Sequence, residues 1–207
     1  MDDSDLSLLS RIRQGDSDAL GIILERHWPA VVRYASDILD SRDAAEDVAQ
    51  ETFVRLWERR EAWKLEGSVR ALLLRVTRNL SLDELRRRSA RHKTARSAPQ
   101  PPLRLLPDEE LENRELRSIL TRAVDSLPER RREVFVLVRH YGLSYRETAA
   151  VLDLAPQTVA NHLTLAVADL RRLLRPYLYD RGDPAADSRN DPAEDSSCRD
   201  RATDQPH

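Results

Sequence analysis

Apolar residues recur at helical spacing in two separate stretches of this 207-residue chain, and the stretch between them loses the pattern and gathers proline. Leu20, Ile23, Leu24, Trp28, Val31, Val32, Ala35, Ile38 and Leu39 mark a first amphipathic run over residues 16–39. Pro29 interrupts it, so the run is either one kinked helix or two short ones. Residues 42–60 carry Ala45, Val48, Ala49, Phe53, Leu56 and Trp57 on one face, and residues 69–88 turn Leu72, Leu73, Val76 and Leu80 inward. Short connections between three such helices predict a small bundle over residues 1–88. Residues 89–107 hold Pro99, Pro101, Pro102 and Pro107 and read as a flexible linker, able to span roughly 60 Å when fully extended.

Beyond the linker, the signals are local as well as periodic. Ser126 offers a capping hydroxyl ahead of Pro128 and Glu129, and the helix that follows should bury Val134, Phe135, Leu137 and Val138 and stop at Gly142. Ser144 and Glu147 form a second capping box, opening a short helix that ends near Leu152. Asp153 occupies a turn position that favours positive φ, and Pro156 starts a new helix. Val159, Leu163, Ala166, Leu170 and Leu173 then alternate at spacings of four and three, a buried stripe. Residues 108–179 are therefore a second helical bundle. Five glycines and two phenylalanines are too few for an all-β sandwich, and the expected fold is all-α.

The formal net charge of -2 is an average over unlike parts. Residues 180–207 contribute -4, with Pro184, Pro192 and Pro206 and no aliphatic residue larger than alanine, and read as a disordered acidic tail. The remainder is +2, and residues 86–96 collect Arg86, Arg87, Arg88, Arg91, Lys93 and Arg96 without an acid, the footprint of phosphate contact or simply a solvated surface. No apolar run approaches the ~20 residues that cross a bilayer, and the acidic start is unlike a signal peptide, so a cytoplasmic protein without membrane insertion is expected. Cys198 is the single cysteine, and the five histidines are scattered. With no phosphate-cradling glycine loop, no zinc-protease motif and no nucleophile elbow, neither an enzyme nor a cofactor, metal or small-molecule substrate is expected.

Short helix, tight turn and longer helix make a helix-turn-helix. Ala149 lies where the two helices pass closely, and Gln157, Thr158, Asn161 and His162 face outward near the start of the second. Side-chain amides there suit base edges in a major groove, whereas the bland alternative is a polar solvent face.

Ser126-Leu-Pro-Glu-Arg-Arg-Arg-Glu-Val-Phe135, Gly142-Leu-Ser-Tyr-Arg-Glu-Thr-Ala149 and Thr158-Val159 resemble the promoter-reading C-terminal domain of bacterial RNA polymerase sigma factors. Asp43-Ala-Ala-Glu-Asp-Val-Ala-Gln-Glu-Thr-Phe-Val-Arg-Leu-Trp57 is similar to the family's polymerase-binding helix, and Arg78-Asn79 with Asp83 and Arg86-Arg87-Arg88 to its strand-melting helix. Both domains stand in family order over residues 16–175 with no domain between them, which points to the extracytoplasmic-function group. The resemblance implies core RNA polymerase and promoter DNA as partners, and an anti-sigma factor as restraint. It assigns Asp47, Gln50, Glu51, Phe53, Arg55 and Trp57 to core binding, with Phe53 and Trp57 also candidates for bundle core. Trp63, in the loop over residues 60–68 that matches the family's base-capturing segment, offers a stacking surface or packs beneath the loop. Arg75, Arg78, Asn79, Asp83, Arg86 and Arg87 would meet the minus-ten element and the melted strand, and Tyr145, Arg146, Gln157, Thr158, Asn161 and His162 the minus-thirty-five element.

The chain also departs from the family. Leu72 and Leu74 stand where the family has more aromatic or polar residues, and Thr148 replaces an aliphatic one. Ala160-Asn161-His162 takes the place of a common Lys-Ser-Arg, removing two fixed cations from the DNA-facing helix. The competing readings are a helix-turn-helix regulator acting without polymerase, and a structural helical adaptor. The first bundle separates them, because a simple repressor does not need its motifs.

Overall fold

Eight helices follow one another among the residues that the computed structural model describes, 4–63, 67–91 and 114–179, and no strand occurs among them. They are α1 (Asp5–Arg13), α2 (Ser17–Leu39), α3 (Arg42–Glu58), α4 (Val69–Arg91), α5 (Arg114–Asp125), α6 (Glu129–Arg139), α7 (Tyr145–Leu152) and α8 (Pro156–Tyr179). The all-α expectation is met. Helix α4 continues three residues past the expected linker start at Ser89, while the rest of the linker and the acidic tail lie outside the described residues. Residues up to Leu174 form one compact unit, and the chain from Arg175 onward belongs to another.

Helix α2 runs unbroken through Pro29. Asp16 caps its start, accepting from the Asp18 and Ala19 amides at 2.9 and 3.2 Å, and Asp40 ends it in the left-handed region at φ 49°. Ser41 then caps α3, so two residues, Asp40 and Ser41, turn one helix into the next. Helix α1 was not foreseen. Ser4 caps it, and Leu8, Leu9 and Ile12 are fully buried with Ile23, Val31, Phe53, Leu56, Val69 and Leu73. Asp5 ties it down through Arg26 and through His27 Nε2 at 2.7 Å. Burial opposes the Asp5 charge, but these two partners outweigh it and hold the carboxyl below its ordinary value. Burial dominates at His27 and lowers its pKa, with Asp5 pulling the other way.

A second apolar group, including Leu39, Ala45, Val48, Val76 and Leu80, lies between α2, α3 and α4. Thr52 and Thr77 meet there with their hydroxyl oxygens 3.2 Å apart, each also 2.8 Å from the carbonyl one turn back in its own helix, so one hydroxyl can donate across while the other donates to its own carbonyl. Buried hydroxyls so paired lose little on leaving water, and they set α3 and α4 in one register.

In the second bundle, Ser126 does not cap α6. Its hydroxyl bonds the Ala123 carbonyl and closes α5, and the residue at the α6 cap is Pro128, without a side-chain cap bond. Val134, Val136 and Leu137 are the buried apolar residues of α6, beside the buried Glu133, whereas Phe135 and Val138 pack only partly against the core. His140 caps the helix end, and Gly142, at φ +68°, turns the chain toward α7 in a conformation side chains resist. The Ser144–Glu147 capping box forms in full, and Asp153 takes φ 56°. The α8 stripe is buried through Val159, Leu163, Ala166 and Leu170, but Leu173 is 38% exposed.

Thr148 is fully buried in α7, and its hydroxyl has no hydrogen-bond partner among the described residues. Such an oxygen gives up water for nothing in return. Thr148→Val keeps the shape and removes the penalty, so urea unfolding should show a gain of about 1 kcal/mol. A loss would mean that the hydroxyl is satisfied in solution.

The third apolar group crosses between the bundles. Tyr34 and Ile38 of α2 and Ala71 and Leu74 of α4 join Leu127, Val134, Leu137, Tyr141, Leu143, Ala149 and Val159. Leu74, one of the departures from the family pattern, is fully buried in this shared core.

Candidate functional site

Helix α3 presents Asp47, Gln50 and Glu51 to solvent on one face, because Ala45, Val48, Ala49, Thr52 and Leu56 turn the opposite face into the core. Arg55 lies beside them, its Nε 2.8 Å from Glu51 Oε1. Of its two expected places Phe53 takes the bundle core: it is 3% exposed and stacks on Trp28 with ring centroids 6.0 Å apart. Trp57 is half-buried beneath the Arg60 guanidinium, 4.8 Å above its ring. The residue missed in this face is Val54, 47% exposed among the polar side chains. Its signal was legible, since it stands four residues from Gln50 and off the apolar stripe.

Trp63 takes the second of its two expected places, beneath the loop. It packs against the first-bundle cores, donates from Nε1 to the Leu56 carbonyl at 3.3 Å, and accepts at its own carbonyl from Arg13. This geometry makes it the anchor of the α3–α4 connection rather than an open stacking platform. On α4, the expected strand-facing residues separate into two groups. Arg75, Asn79, Arg86 and Arg87 are exposed, with Asp83 Oδ1 2.8 Å from Arg86 Nη1. Arg78 points the other way, and its Nη2 and Nε donate to Glu133 Oε1 of α6 at 2.8 and 3.2 Å. The two side chains are 13% and 11% exposed, so this ion pair is largely withdrawn from water.

The helix-turn-helix comprises α7 and α8. Tyr145 and Arg146 are exposed in the first turn of α7. Gln157 and Asn161 are exposed one turn apart on α8, the Gln157 amide donating to Asn161 Oδ1 at 3.2 Å, so both are held in line before any partner arrives. Thr158 and His162 are half-buried beside them, and His162 Nδ1 is buried without a hydrogen-bond partner among the described residues. Leu165 is a missed neighbour, exposed one turn beyond Asn161. An amide pair on an open helix face, with an arginine and a tyrosine at the adjoining helix start, can divide base-edge contact from phosphate contact.

The bundles meet through polar groups that sequence reasoning did not connect. Tyr141 Oη donates to Asp37 Oδ2 at 3.0 Å, Arg70 Nη1 to the Tyr141 carbonyl at 3.2 Å, and the Ser68 amide to Glu147 Oε1 at 2.9 Å. Gly67 is needed here, because a Cβ would stand 2.6 Å from Glu147 Cγ. Burial opposes the Glu147 charge, but its bonds to Ser68 and Ser144 prevail and keep it below the ordinary value. Among the described residues, no group of three or more His, Cys, Asp or Glu is placed to hold a metal ion, and no helix is long and apolar enough to cross a membrane.

Comparison with known proteins places both bundles. Residues 23–91 match the family model for sigma-70 region 2, and residues 117–170 match that for sigma-70 region 4. The ECF RNA polymerase sigma factor SigE of Mycolicibacterium smegmatis is 31% identical over 172 residues, covering 80% of this chain and 64% of that protein. Among solved structures, CnrH in complex with the cytosolic domain of CnrY matches with a TM-score of 0.59 and 26% identity, covering 83% of this chain and 97% of that one. The sigma factor RpoE, in complex with the anti-sigma factor NepR from Bartonella quintana, shares the fold with a TM-score of 0.61 at 22% identity, over 75% of this chain and 96% of that one. A regulator working without polymerase would account for the second match and leave the first unexplained. With one family's two regions matched in order on an all-helical chain, this protein belongs to the sigma-70 family, in its extracytoplasmic-function group.

Proposed function

We propose that α3 docks the chain on core RNA polymerase while α4 and α8 hold two promoter elements, so that polymerase is directed to particular promoters. The observation that carries this reading is the presence, in one chain, of an exposed polar face on α3 and an exposed amide pair on a helix-turn-helix. Val54 would supply the apolar centre of the docking face, and Asp47, Gln50, Glu51 and Arg55 its register. Arg75, Asn79, Arg86 and Arg87 would meet the minus-ten strand, and Gln157 and Asn161 would read the minus-thirty-five major groove, with Arg146 and Tyr145 on the backbone. Phe53 and Trp63 would act from beneath, by holding α3 and its following loop in place.

The role is regulatory, with no catalytic step of the chain's own, and work on core polymerase puts it in the cytoplasm. An anti-sigma factor belongs to the same reading, since two relatives in fold are seen in complexes, one of them with an anti-sigma factor.

The purified chain should co-elute with core polymerase and support transcription from promoters mapped after forced expression. Failure to bind core, with duplex binding retained, would overturn the reading. Val54→Asp puts a charge into the proposed apolar centre without touching the bundle core. It should weaken core binding about tenfold in a titration while leaving thermal unfolding unchanged. Unchanged core affinity would remove Val54 from the docking face.

A further inference from the structure

We propose that the Asp37–Tyr141 hydrogen bond is the proton-sensitive element of a closed resting state, in which the second bundle lies on α4 and holds Arg78 away from nucleic acid. This rests on the reading of α4 as a promoter-facing helix. The geometry has three parts. The Tyr34, Ile38, Ala71 and Leu74 side chains share one apolar core with Leu127, Val134, Leu137, Tyr141 and Leu143. Arg78, the cation next to Asn79, spends its Nε and Nη2 on Glu133 rather than presenting them to phosphate. Asp37, on α2, sits inside the seam and accepts from the Tyr141 hydroxyl, while the Tyr34 and Tyr141 rings meet edge to face with centroids 5.2 Å apart.

The closed form is incompatible with simultaneous promoter contacts. Elements centred near positions -10 and -35 lie roughly 85 Å apart along a duplex that rises 3.4 Å per base pair. Two bundles sharing a core cannot reach both. Opening must therefore precede or accompany full engagement, and anything that strengthens the seam delays it.

Asp37 supplies the sign of the response. Burial pushes its carboxyl up to about 7, and the Tyr141 hydrogen bond and the Arg33 charge only partly oppose that. When the bundles part, the carboxyl meets water and returns toward its ordinary value of 3.8. The closed form thus holds the proton more tightly. Its advantage is whole below the ordinary carboxylate range and falls about tenfold per pH unit as pH rises toward 7. It changes no further once Asp37 is ionised in both forms. The surrounding ionisable groups are Arg33 and Tyr34 on α2, Tyr141 and His140 after α6, and the Glu133–Arg78 pair. Burial raises both tyrosines, so they stay neutral across this range. Near neutral pH the seam therefore holds a carboxyl at the midpoint of its ionisation, and each further loss of its proton favours opening.

The test uses the full chain with Cys198→Ser, labelled for energy transfer through Glu58→Cys and Ala168→Cys, both exposed positions. Between pH 5.5 and 7 the closed-to-open ratio should fall about tenfold per unit and then level. Asp37→Asn, which keeps an acceptor for Tyr141 but carries no charge, should stay closed at every pH. With core polymerase at pH 7.5, it should bind promoter DNA at least tenfold more weakly than the parent, with circular dichroism unchanged. A distance that ignores pH, or an Asp37→Asn chain with the parent's pH profile, overturns the latch and leaves the promoter-facing reading of α4 intact. A pH-dependent distance with undiminished promoter binding by Asp37→Asn overturns the gating role, and with it the placement of Arg78 on DNA.

Discussion

Replacing Glu133 with alanine is expected to weaken the packing between the two bundles by about 3 kcal/mol, because it leaves the Arg78 guanidinium in the seam without its carboxylate. A charge stranded in a fixed core would unfold the protein. Here the bundles can part and return Arg78 to water, so the cost should appear as opening. Small-angle scattering should show a larger radius of gyration for Glu133→Ala while far-ultraviolet circular dichroism stays the same. Arg130 also loses a partner, at 3.0 Å, but its side chain is mostly exposed and water replaces the carboxylate. Arg78→Met combined with Glu133→Leu should restore compactness, since removing both charges leaves apolar groups of similar size in the seam. An unchanged radius in Glu133→Ala, with only a lower unfolding midpoint, would show that the two bundles do not separate as units.

The second large effect should come from the recognition helix. Asn161→Ala removes a side chain that Gln157 already holds in line, and should lower affinity for the cognate duplex ten- to a hundredfold. Because no cation is lost, the slope of log affinity against log salt should be unaffected. Arg146→Ala should behave differently: weaker binding to all sequences alike, and a salt slope shallower by about 0.9. On the proposed reading of α8, Ala160-Asn161-His162 would tilt the balance toward base contact and away from phosphate contact. Filter binding of both variants over a salt series separates the two roles. A salt slope that changes for Asn161→Ala would reassign it to the backbone.

Local chemistry was legible where a residue answers to its immediate neighbours. Ser144 with Glu147 three residues on, Asp153 at a position needing positive φ, and Pro156 at a helix start all act within one turn, and all three form as read. Ser126 fails by the same logic, because two hydroxyl uses compete there and the carbonyl of Ala123 wins over the α6 amides. Helix α1 was hidden by its short length and acidic flank, although Leu8, Leu9 and Ile12 already stand one turn apart.

The candidate site divides along similar lines. Exposed polar positions at helical spacing, such as Asp47, Gln50 and Glu51 or Gln157 and Asn161, follow from knowing which face is apolar. Phe53 and Trp63 could not be allotted that way, since an aromatic ring serves core and interface equally well in composition. The seam between the bundles was invisible for a different reason. Arg78 with Glu133, and Asp37 with Tyr141, are separated by 55 and 104 residues, and no periodicity links partners so distant. Leu74 gave a clue, because its burial in the shared core accounts for an aliphatic residue at a position where the family tolerates polarity.

The paired hydroxyls of Thr52 and Thr77 carry a mechanical consequence. They clamp α3 to α4 at mid-length, so the two helices act as the arms of a bracket whose angle is fixed from inside. If α3 docks on the polymerase as proposed, torque on that arm would pass to the other through this contact. On the proposed docking of α3 and α4, a chain built this way would convert the orientation of its host into a twist on the duplex.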